Sequence, residues 1–367
     1  MKKILFICNE GSFTGAPLFL ARFLRHIREL RSEYEIAVFF AKPGRLVDVL
    51  TKEGFSVFLS KKHNESRTKL GVLWYRAMHY FKYLKIINKF RPTLVYSNTI
   101  VNFGEVIISR MLGIPVILHM HEGENFATAY RFRLNISTFF ATQIIVGSQY
   151  VNRVLFKMTQ RRGVVVYNGI EINSCSLSTK RANENCLTLG MLGTIDPNKG
   201  QLVAIKAVNL IIQEGLHVRL TIAGVTENKI YEELLHTYIS QNSLQDHIHF
   251  VGYVRDSNEY LKTLNVLLVP SFDEALPTVI LEALAKGTIV IASNVGGIPE
   301  IICHNTNGLL VAMGDEVELA KMIKEVLKNP EIQSNFHKKN IEILKTKFDI
   351  NDSNQKLMSE LDALTKI

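Results

Sequence analysis

The stretch PSFDEALPTVILEALAKGTIVIASNVGGIPEII, residues 270–302, places a glutamate on either side of a short apolar run. Glu274 precedes ALPTVIL and Glu282 follows it. A buried strand would not carry a carboxylate at each end of such a run, because an unpaired buried charge is costly or changes its protonation. We therefore expect something to meet these two carboxylates.

Apolar runs of strand length alternate with helical patterns along most of the chain. The first half predicts helices at 15–30 and 71–90, and strands at 2–9, 34–41, 56–60, 93–98, 114–121 and 142–148. The second half predicts helices at 200–213, 229–241 and 279–286, and strands at 186–193, 218–224, 248–252, 266–271, 288–293 and 307–312. This alternation predicts parallel sheets covered by helices on both faces.

The length of the chain, 367 residues, exceeds what one core usually serves, so we expect two domains. Residues 168–186 are rich in Asn and Ser and lack periodicity, which makes them the best linker candidate. The sequence therefore predicts two doubly wound α/β domains. Ligands of such sheets bind at the carboxyl ends of the strands, so two facing domains imply a cleft.

Several other classes of protein are disfavoured. The loop NEGSFTGAP, residues 9–17, spaces its glycines four apart, and neither half shows the G-x-G-x-x-G of a nicotinamide or flavin oxidoreductase. The four cysteines have no paired spacing, which favours reduced thiols over disulfides or zinc. Asn9-Glu10 ends the first apolar run too early for a signal peptide, and no long apolar segment predicts a membrane span.

The segment 270–302, with its E-x7-E spacing, resembles the donor site of family-4 retaining glycosyltransferases, which have the GT-B fold of two facing Rossmann-like domains. LGTIDPNKG (192–200) resembles the first strand-loop-helix of that family's donor domain. VVVYNGIE (164–171) resembles its inter-domain segment, and VGYV (251–254) its base-contacting loop. The resemblance is specific over 186–312 and looser before Gly147.

The resemblance implies a role for each of the two glutamates. Glu274 would accept hydrogen bonds from hydroxyl groups of the donor sugar, and Glu282 would hold the ribose hydroxyls. A helix that begins near Pro277 would direct its free amides and positive dipole end at the diphosphate. The donor-binding residues expected in this segment are Glu274, Leu276, Pro277, Thr278, Val279 and Glu282.

The first loop of the second half is expected to supply a cation. Lys199 stands at the start of a predicted helix, where it could neutralise the diphosphate leaving group, as the resemblance implies. Relatives usually place an arginine in a G-R-L triplet where this chain has Gly193-Thr194-Ile195, so Thr194 leaves one phosphate-binding cation missing. No Asp-x-Asp pair lies on a strand-end loop, so we expect no metal and no cofactor, the nucleotide sugar being a substrate.

In the first half, His121 ends a predicted strand in HMHEGEN, residues 119–125. It matches the histidine that approaches the transferred sugar in the family, and strand alternation puts His119 on the same face. We therefore expect Glu274, Lys199 and His121 to be catalytic. Gly15, with Gly11, would let the first loop approach the donor closely, although relatives often have a Gly pair where Thr14-Gly15 stands.

The resemblance, with the residues above, predicts a metal-independent retaining hexosyl-type glycosyltransferase of GT-B architecture. Residues 1–170 would form the acceptor domain, 171–185 the linker, 186–345 the nucleotide-sugar donor domain, and 346–367 a helix packing back toward the first domain. A saccharide or lipid-linked saccharide would be the acceptor, in cell-surface polysaccharide or glycolipid synthesis. Two alternatives remain open: a catalytically idle binding or scaffold subunit, which Thr194 motivates, and an epimerase or phosphorylase on the same architecture.

Charge is unevenly distributed along the chain. Residues 1–180 carry 26 Lys and Arg against 11 Asp and Glu, a net of +15, whereas residues 181–367 carry 17 against 23, a net of −6. The basic half includes residues 22–31, 61–69 and 161–162. Because no nucleic-acid-binding motif accompanies this charge, we expect a cytoplasmic protein attached peripherally to the anionic inner face of the cell membrane.

Overall fold

The computed structural model describes residues 2–12, 15–60, 69–172, 187–226, 228–329 and 331–365. It divides into an N-terminal unit, Met1–Asn168 with Asp352–Ile367, and a C-terminal unit, Gly169–Asn351. Most of the predicted linker, residues 173–186, lies outside the described residues, as do Thr14 and residues 61–68.

The N-terminal unit is built on a seven-stranded parallel sheet with strand order β3-β2-β1-β4-β5-β6-β7. Ile4 in the central strand pairs with Ile36 on one side and Leu94 on the other. The strands are β1 (Lys2–Glu10), β2 (Tyr34–Lys42), β3 (Ser56–Leu59), β4 (Leu94–Ser97), β5 (Val116–Met120), β6 (Gln143–Val146) and β7 (Val164–Val165). Both faces of the sheet are covered, which is why β1 is continuously apolar and buried from Ile4 to Cys8.

Helices cover this sheet in two layers. They are α1 (Gly15–Leu30), α2 (Arg45–Lys52), α3 (Lys69–Phe90), α4 (Phe103–Met111), α5 (Glu124–Ala129), α6 (Arg131–Phe140) and α7 (Gln149–Thr159). The apolar face of α1, including Phe23 and Leu24, packs in one core cluster with Phe6. Tyr83 of α3 and Val106 of α4 pack on the opposite face in a second cluster.

The C-terminal unit repeats this plan with a six-stranded parallel sheet in the order β10-β9-β8-β11-β12-β13. Its strands are β8 (Leu187–Leu192), β9 (Val218–Ala223), β10 (Ile248–Gly252), β11 (Val266–Val269), β12 (Ile289–Ser293) and β13 (Leu309–Val311). Its helices are α8 (Gln201–Gln213), α9 (Lys229–Gln241), α10 (Ser257–Lys262), α11 (Thr278–Ala285), α12 (Glu316–Lys328) and α13 (Ile332–Lys347). The predicted fold class, two doubly wound parallel α/β domains, is confirmed.

The last helix, α14 (Ile350–Thr365), returns to the N-terminal unit. Leu357, Met358 and Leu361 are buried in the core cluster that contains Phe6 and α1. Tyr34 donates a hydrogen bond to the carboxylate of Asp362. The sheet core of this unit is therefore completed by residues from both ends of its sequence.

None of the helices in the described ranges has the length and apolar character needed to cross a membrane.

Candidate active site

The loop between β11 and α11 places the carboxylate of Glu274 beside a cation. Lys199 Nζ lies 2.7 Å from Glu274 Oε1, and Ser271 Oγ donates a hydrogen bond of 2.8 Å to the same oxygen. The Glu274 side chain is 10% exposed, whereas that of Lys199 is 34% exposed. A nearly buried carboxylate is thus neutralised by a lysine that solvent can reach.

Backbone contacts hold this loop against two others. Phe272 N donates to Asn198 O, and Asn198 Nδ2 donates to Asp273 O, both at 2.8 Å. Gly297 N donates to the carbonyl of Glu274, also at 2.8 Å. The loops that follow β8, β11 and β12 therefore meet at the carboxyl edge of the C-terminal sheet, the edge where such sheets bind ligands.

Two glycines permit this close approach of backbones. Gly200 has φ +71°, and a Cβ there would lie 2.0 Å from the carbonyl oxygen of Pro270. Gly296 has φ +59°, and a Cβ there would lie 2.1 Å from the carbonyl oxygen of Glu274. Only glycine fits either position, so both loops depend on residues that bear no functional group.

The helix expected to face a diphosphate begins at Thr278, one residue after Pro277. Leu276 and Pro277 are buried, whereas Thr278 and Val279 are partly exposed. The first amides of a helix have no partner inside the helix, so those of this turn are suited to an anion. Glu282 is partly exposed one turn further along the same helix.

Thr194 lies in the loop after β8, where the family resemblance led us to expect an arginine. It is exposed, and its carbonyl oxygen accepts a 3.0 Å hydrogen bond from Gln201 Nε2. Gln201 is 2% exposed, and its Oε1 is buried without a partner among the described residues. Gln201 thus fixes the backbone of this loop, but Thr194 supplies no positive charge.

His121, in the N-terminal unit, directly follows β5. Its Nε2 lies 3.1 Å from Asn98 Oδ1, and its Nδ1 is buried with no partner within the described part of the chain. The ring of His119 lies against it at a tilt of 39°, with 3.8 Å between centroids, which confirms that the two histidines share a face. Tyr96 OH lies 2.5 Å from His119 Nδ1. Burial lowers the pKa of His121 to about 3, and that of His119 is lowered by burial and by His121.

The two glycines of the first loop have different surroundings from each other. A Cβ on Gly15 would meet nothing within 4 Å, so α1 begins with open space around this residue. A Cβ on Gly11 would lie 2.7 Å from Val47 Cγ2, close to the start of α2. The small size of Gly11 is therefore explained by packing against the α2 segment of the protein itself.

The structure brings Lys199 and Glu274 into contact and leaves Thr194 outside that contact; His121 and Gly15 belong to the other unit. Ser271, Asn198 and Tyr96, which hold these side chains or their loops in place, were not expected from the sequence. Such residues are common in any sequence, and their partners lie at least 23 positions away except for Ser271. Ser271 could have been noticed as a hydroxyl three residues before Glu274.

The two adjacent buried histidines predict how stability varies with pH. Their folded pKa values are depressed, so the unfolded chain binds more protons and the free energy of unfolding falls as pH drops below 6.5. The loss should approach about 1.4 kcal/mol per pH unit for each histidine. Urea unfolding at pH 6.5 and below should show a shallower pH slope for His119→Asn than for the unchanged protein.

Glu122 acts in the opposite sense, because burial raises the pKa of its carboxyl group and protonation then favours the folded state. The quantity to compare is therefore the difference between variant and parent in the slope of unfolding free energy against pH. The contribution of Glu122 is the same in both proteins and cancels in this difference. An identical slope for the two proteins would contradict buried, neutral histidines.

Two family models match the chain. The model described as Glycosyltransferase Family 4 matches residues 13–174, and the one described as Glycosyl transferases group 1 matches residues 178–343. The Family 4 match covers the N-terminal sheet from β2 to β7 but not β1, whereas the group 1 match covers the whole C-terminal sheet and contains both Lys199 and Glu274.

Several curated proteins named as glycosyltransferases are similar to this chain. CapM of Staphylococcus aureus, a capsular polysaccharide biosynthesis glycosyltransferase, is 23% identical over 77% of this chain and 79% of CapM. An Escherichia coli enzyme named UDP-Gal:alpha-D-GlcNAc-diphosphoundecaprenol alpha-1,3-galactosyltransferase is 21% identical over 57% of this chain and 59% of its own length. This chain covers only 62% and 39% of the lengths of two further curated relatives.

Anabaena HepE, solved in complex with UDP and glucose, superposes with a TM-score of 0.85 at 23% identity over 99% of this chain and 100% of that one. At this identity the likeness establishes the fold.

Proposed function

We propose that this chain, which belongs to the family-4 glycosyltransferases of GT-B fold, transfers a sugar from a nucleotide-sugar donor to a saccharide or lipid-linked saccharide. The observation that carries the proposal is the contact between Lys199 and Glu274 at the carboxyl edge of the C-terminal sheet. A nucleotide sugar presents hydroxyls for a carboxylate and a diphosphate for a cation, and this pair offers one of each.

A bound donor would divide this pair between its two chemical groups. The diphosphate would attract the ammonium of Lys199, which is the more exposed partner. Glu274 would then accept hydrogen bonds from the sugar hydroxyls, with Ser271 still donating to it. The negative charge on the leaving phosphate grows as the glycosidic bond breaks, so Lys199 stabilises the transition state more than the bound donor.

The remaining donor contacts would come from α11 and the adjoining loop. The amides of Thr278 and Val279 would meet the phosphates, with Leu276 and Pro277 holding the turn. Glu282 would bind the ribose hydroxyls from the next helical turn. Retention of anomeric configuration and hexosyl specificity follow the family resemblance, as does the approach of His121 to the transferred sugar; its unpartnered Nδ1 supports that role.

Glu282→Ala should weaken nucleotide binding. A ligand at a hundred times its dissociation constant adds about 2.7 kcal/mol of stability, so a thermal-shift screen of uridine, guanosine and adenosine diphosphate sugars should identify the donor. The variant should need roughly tenfold more of that donor for the same shift, because a ribose contact is lost. If no nucleotide sugar stabilises the unchanged protein, the proposed function fails.

Activity should survive a chelator. Lys199 and the first amides of α11 carry the charge of the leaving phosphate in this mechanism, so no divalent cation is required. Sugar transfer measured with and without EDTA should agree within about twofold. Complete loss of transfer in EDTA, restored by magnesium or manganese, would contradict the mechanism.

The acceptor and the place of action are proposed from relatives and charge. The names of CapM and of the E. coli galactosyltransferase refer to a capsular polysaccharide and to a diphosphoundecaprenol-linked sugar. We propose the same class of acceptor here, in cell-surface polysaccharide or glycolipid synthesis. The +15 first half would keep the enzyme at the cytoplasmic face of the anionic membrane.

A catalytically idle binding subunit is the second candidate, and Thr194 favours it. No cation occupies this position, so the phosphates would lose one expected contact. The Lys199–Glu274 pair opposes this alternative, since an idle protein would not need a lysine against that carboxylate. Donor binding without any turnover, in the presence of a competent acceptor, would select the idle form.

A further inference from the structure

One helical layer of the N-terminal unit presents large apolar side chains to solvent. α3, α4 and α6 cover one face of the sheet, and α4 contacts both of its neighbours. The exposed side chains are Trp74 (64%), Phe81 (52%), Met111 (78%), Phe132 (70%) and Phe139 (78%). We call this surface the α3–α4–α6 face. Scattered exposed apolar residues are ordinary, whereas a group on one layer marks an interaction surface.

Positive charge accompanies these side chains. Residues 69–141, which contain the face, carry nine Lys and Arg but only three Asp and Glu. Lys85 Nζ lies 4.5 Å from the ring centroid of Phe81, and the guanidinium of Arg133 lies 4.8 Å from that of Tyr130. The cations therefore stand directly beside the exposed rings.

All three acidic residues of this segment have internal partners. Glu105 Oε1 lies 2.5 Å from His79 Nε2 and the residue is 4% exposed. Glu122 accepts hydrogen bonds from Thr99 Oγ1 and Ile100 N. Glu124 pairs with Lys157 of α7. The charge that this layer offers to an approaching partner is therefore positive.

The basic segment 22–31, highlighted by the sequence, lies in α1 on the opposite side of the sheet. The guanidinium of Arg25 donates two hydrogen bonds, of 2.8 and 2.9 Å, to the carboxylate of Glu53 in a bidentate pair. Arg28 donates to the carbonyl of Glu53, and Arg31 pairs with Glu33 and Asp362. Three of these arginines hold the protein together. The α3–α4–α6 face is thus better suited than α1 to an external anion.

We propose that the α3–α4–α6 face docks on the surface of an anionic lipid bilayer. Aromatic side chains prefer the boundary between headgroups and acyl chains, and lysines and arginines beside them bind anionic headgroups. Leu112, just after α4, is 50% exposed and lines a groove of about 400 Å³ with Ile87, Asn88 and Arg91, which offers both apolar and polar contacts. The inference rests on the proposed function in one respect: the bilayer would present the lipid-linked acceptor to the enzyme.

A second copy of the chain fits this face less well. A two-fold contact would place the basic residues of one protomer against the same residues of the other, and like charges across an interface are unfavourable. A bilayer with anionic headgroups matches both features of the surface. Self-association is an outcome that the test can detect.

Flotation with vesicles tests the proposal through two triple variants. Vesicles of phosphatidylcholine with phosphatidylglycerol should recover the full-length protein at low salt and release it at high salt, because screening weakens surface attraction. Lys85→Glu/Lys89→Glu/Arg131→Glu should lower the partition coefficient about a hundredfold or more, since each cation removed costs roughly fivefold. Phe81→Ser/Phe132→Ser/Phe139→Ser should lower it at least about tenfold.

Matched controls lie on the C-terminal unit. Lys321→Glu/Lys338→Glu/Lys345→Glu makes the same change in net charge at exposed positions of α12 and α13. Ile230→Ser/Met313→Ser/Val317→Ser removes apolar side chains that are 82%, 55% and 66% exposed. Both controls should float as the unchanged protein does. Thermal shift with the donor found in the nucleotide-sugar screen should be equal in all variants, which separates this proposal from the proposed function.

Three outcomes would overturn the docking surface. The first is equal recovery of the unchanged protein on phosphatidylcholine alone and on anionic vesicles, or recovery on neither. The second is an equal loss of flotation in the face variants and the matched controls. The third is a dimer in sedimentation that dissociates in the aromatic variant, with no flotation of the parent protein. Flotation without any nucleotide-sugar shift would leave the docking surface supported and the proposed function refuted.

Discussion

Glu274→Gln should lower turnover by roughly ten- to a thousandfold while leaving nucleoside diphosphate binding intact. The amide keeps the size of the carboxylate but loses the negative charge that Lys199 meets at 2.7 Å. The amide oxygen is also a weaker acceptor of hydrogen bonds from the sugar hydroxyls. These hydrogen bonds matter most as the bond between the sugar and the diphosphate breaks. Steady-state transfer kinetics together with a thermal shift by the nucleoside diphosphate would measure the two effects separately.

A second Lys–Glu pair in the same unit provides the control. Lys262 Nζ lies 2.6 Å from Glu259 Oε1 on α10, where the glutamate side chain is 66% exposed. Surface pairs of this kind contribute little, so Glu259→Gln should leave turnover within about twofold of the parent. Normal kinetics in both glutamine variants would remove Glu274 from the donor site.

Gly200→Ala should destabilise the C-terminal unit by about 3 kcal/mol or more and abolish the donor-dependent thermal shift. The residue has φ +71°, and the added methyl would lie 2.0 Å from the carbonyl oxygen of Pro270. To remove this close contact, the loop after β8 must separate from the loop that carries Glu274. Lys199, which immediately precedes Gly200, would then move away from its partner.

Gly215→Ala separates the cost of a left-handed backbone from the cost of the close contact with Pro270. Gly215 has φ +78°, but a Cβ there would meet nothing within 4 Å. It should therefore show only the cost of a left-handed backbone, about 1 kcal/mol, and should retain the donor shift. Equal losses in urea unfolding for the two alanine variants would mean that the approach of the two loops is unimportant.

Periodicity predicted α1, α3, α8 and α9 but missed α12 and α13, which are of similar length. The predicted bounds of α1 and α9 are those found in the structure, because each helix has one clear apolar face. Short helices such as α2, α5 and α10 were not predicted, since six to eight residues give too few turns for a period to emerge. The family resemblance is confirmed by the two model matches.

The site was predicted in its residue types but not in its contacts. Glu274 was singled out by its position at the end of an apolar run, and Lys199 by the loop that holds it. Their contact joins residues 75 positions apart, which depends on the strand order and not on local sequence. Gly11 was expected to let the first loop approach the donor, and the structure adds that a side chain there would also meet Val47. A glycine in a sequence does not reveal which neighbour requires it.

Because α14 packs in the N-terminal unit, the core of that unit cannot be completed until the C-terminal unit has been synthesised. Phe6 and α1 leave the ribosome before residues 169–351, but Leu357, Met358 and Leu361, which pack with them, leave after those residues. The intervening residues 169–351 take about ten to forty seconds to be made at usual translation rates. Throughout that interval the nascent first unit has an uncovered apolar surface while the second unit can already close its own core. The protein is therefore most prone to aggregation before its chain is released, and holding chaperones should act on its first half.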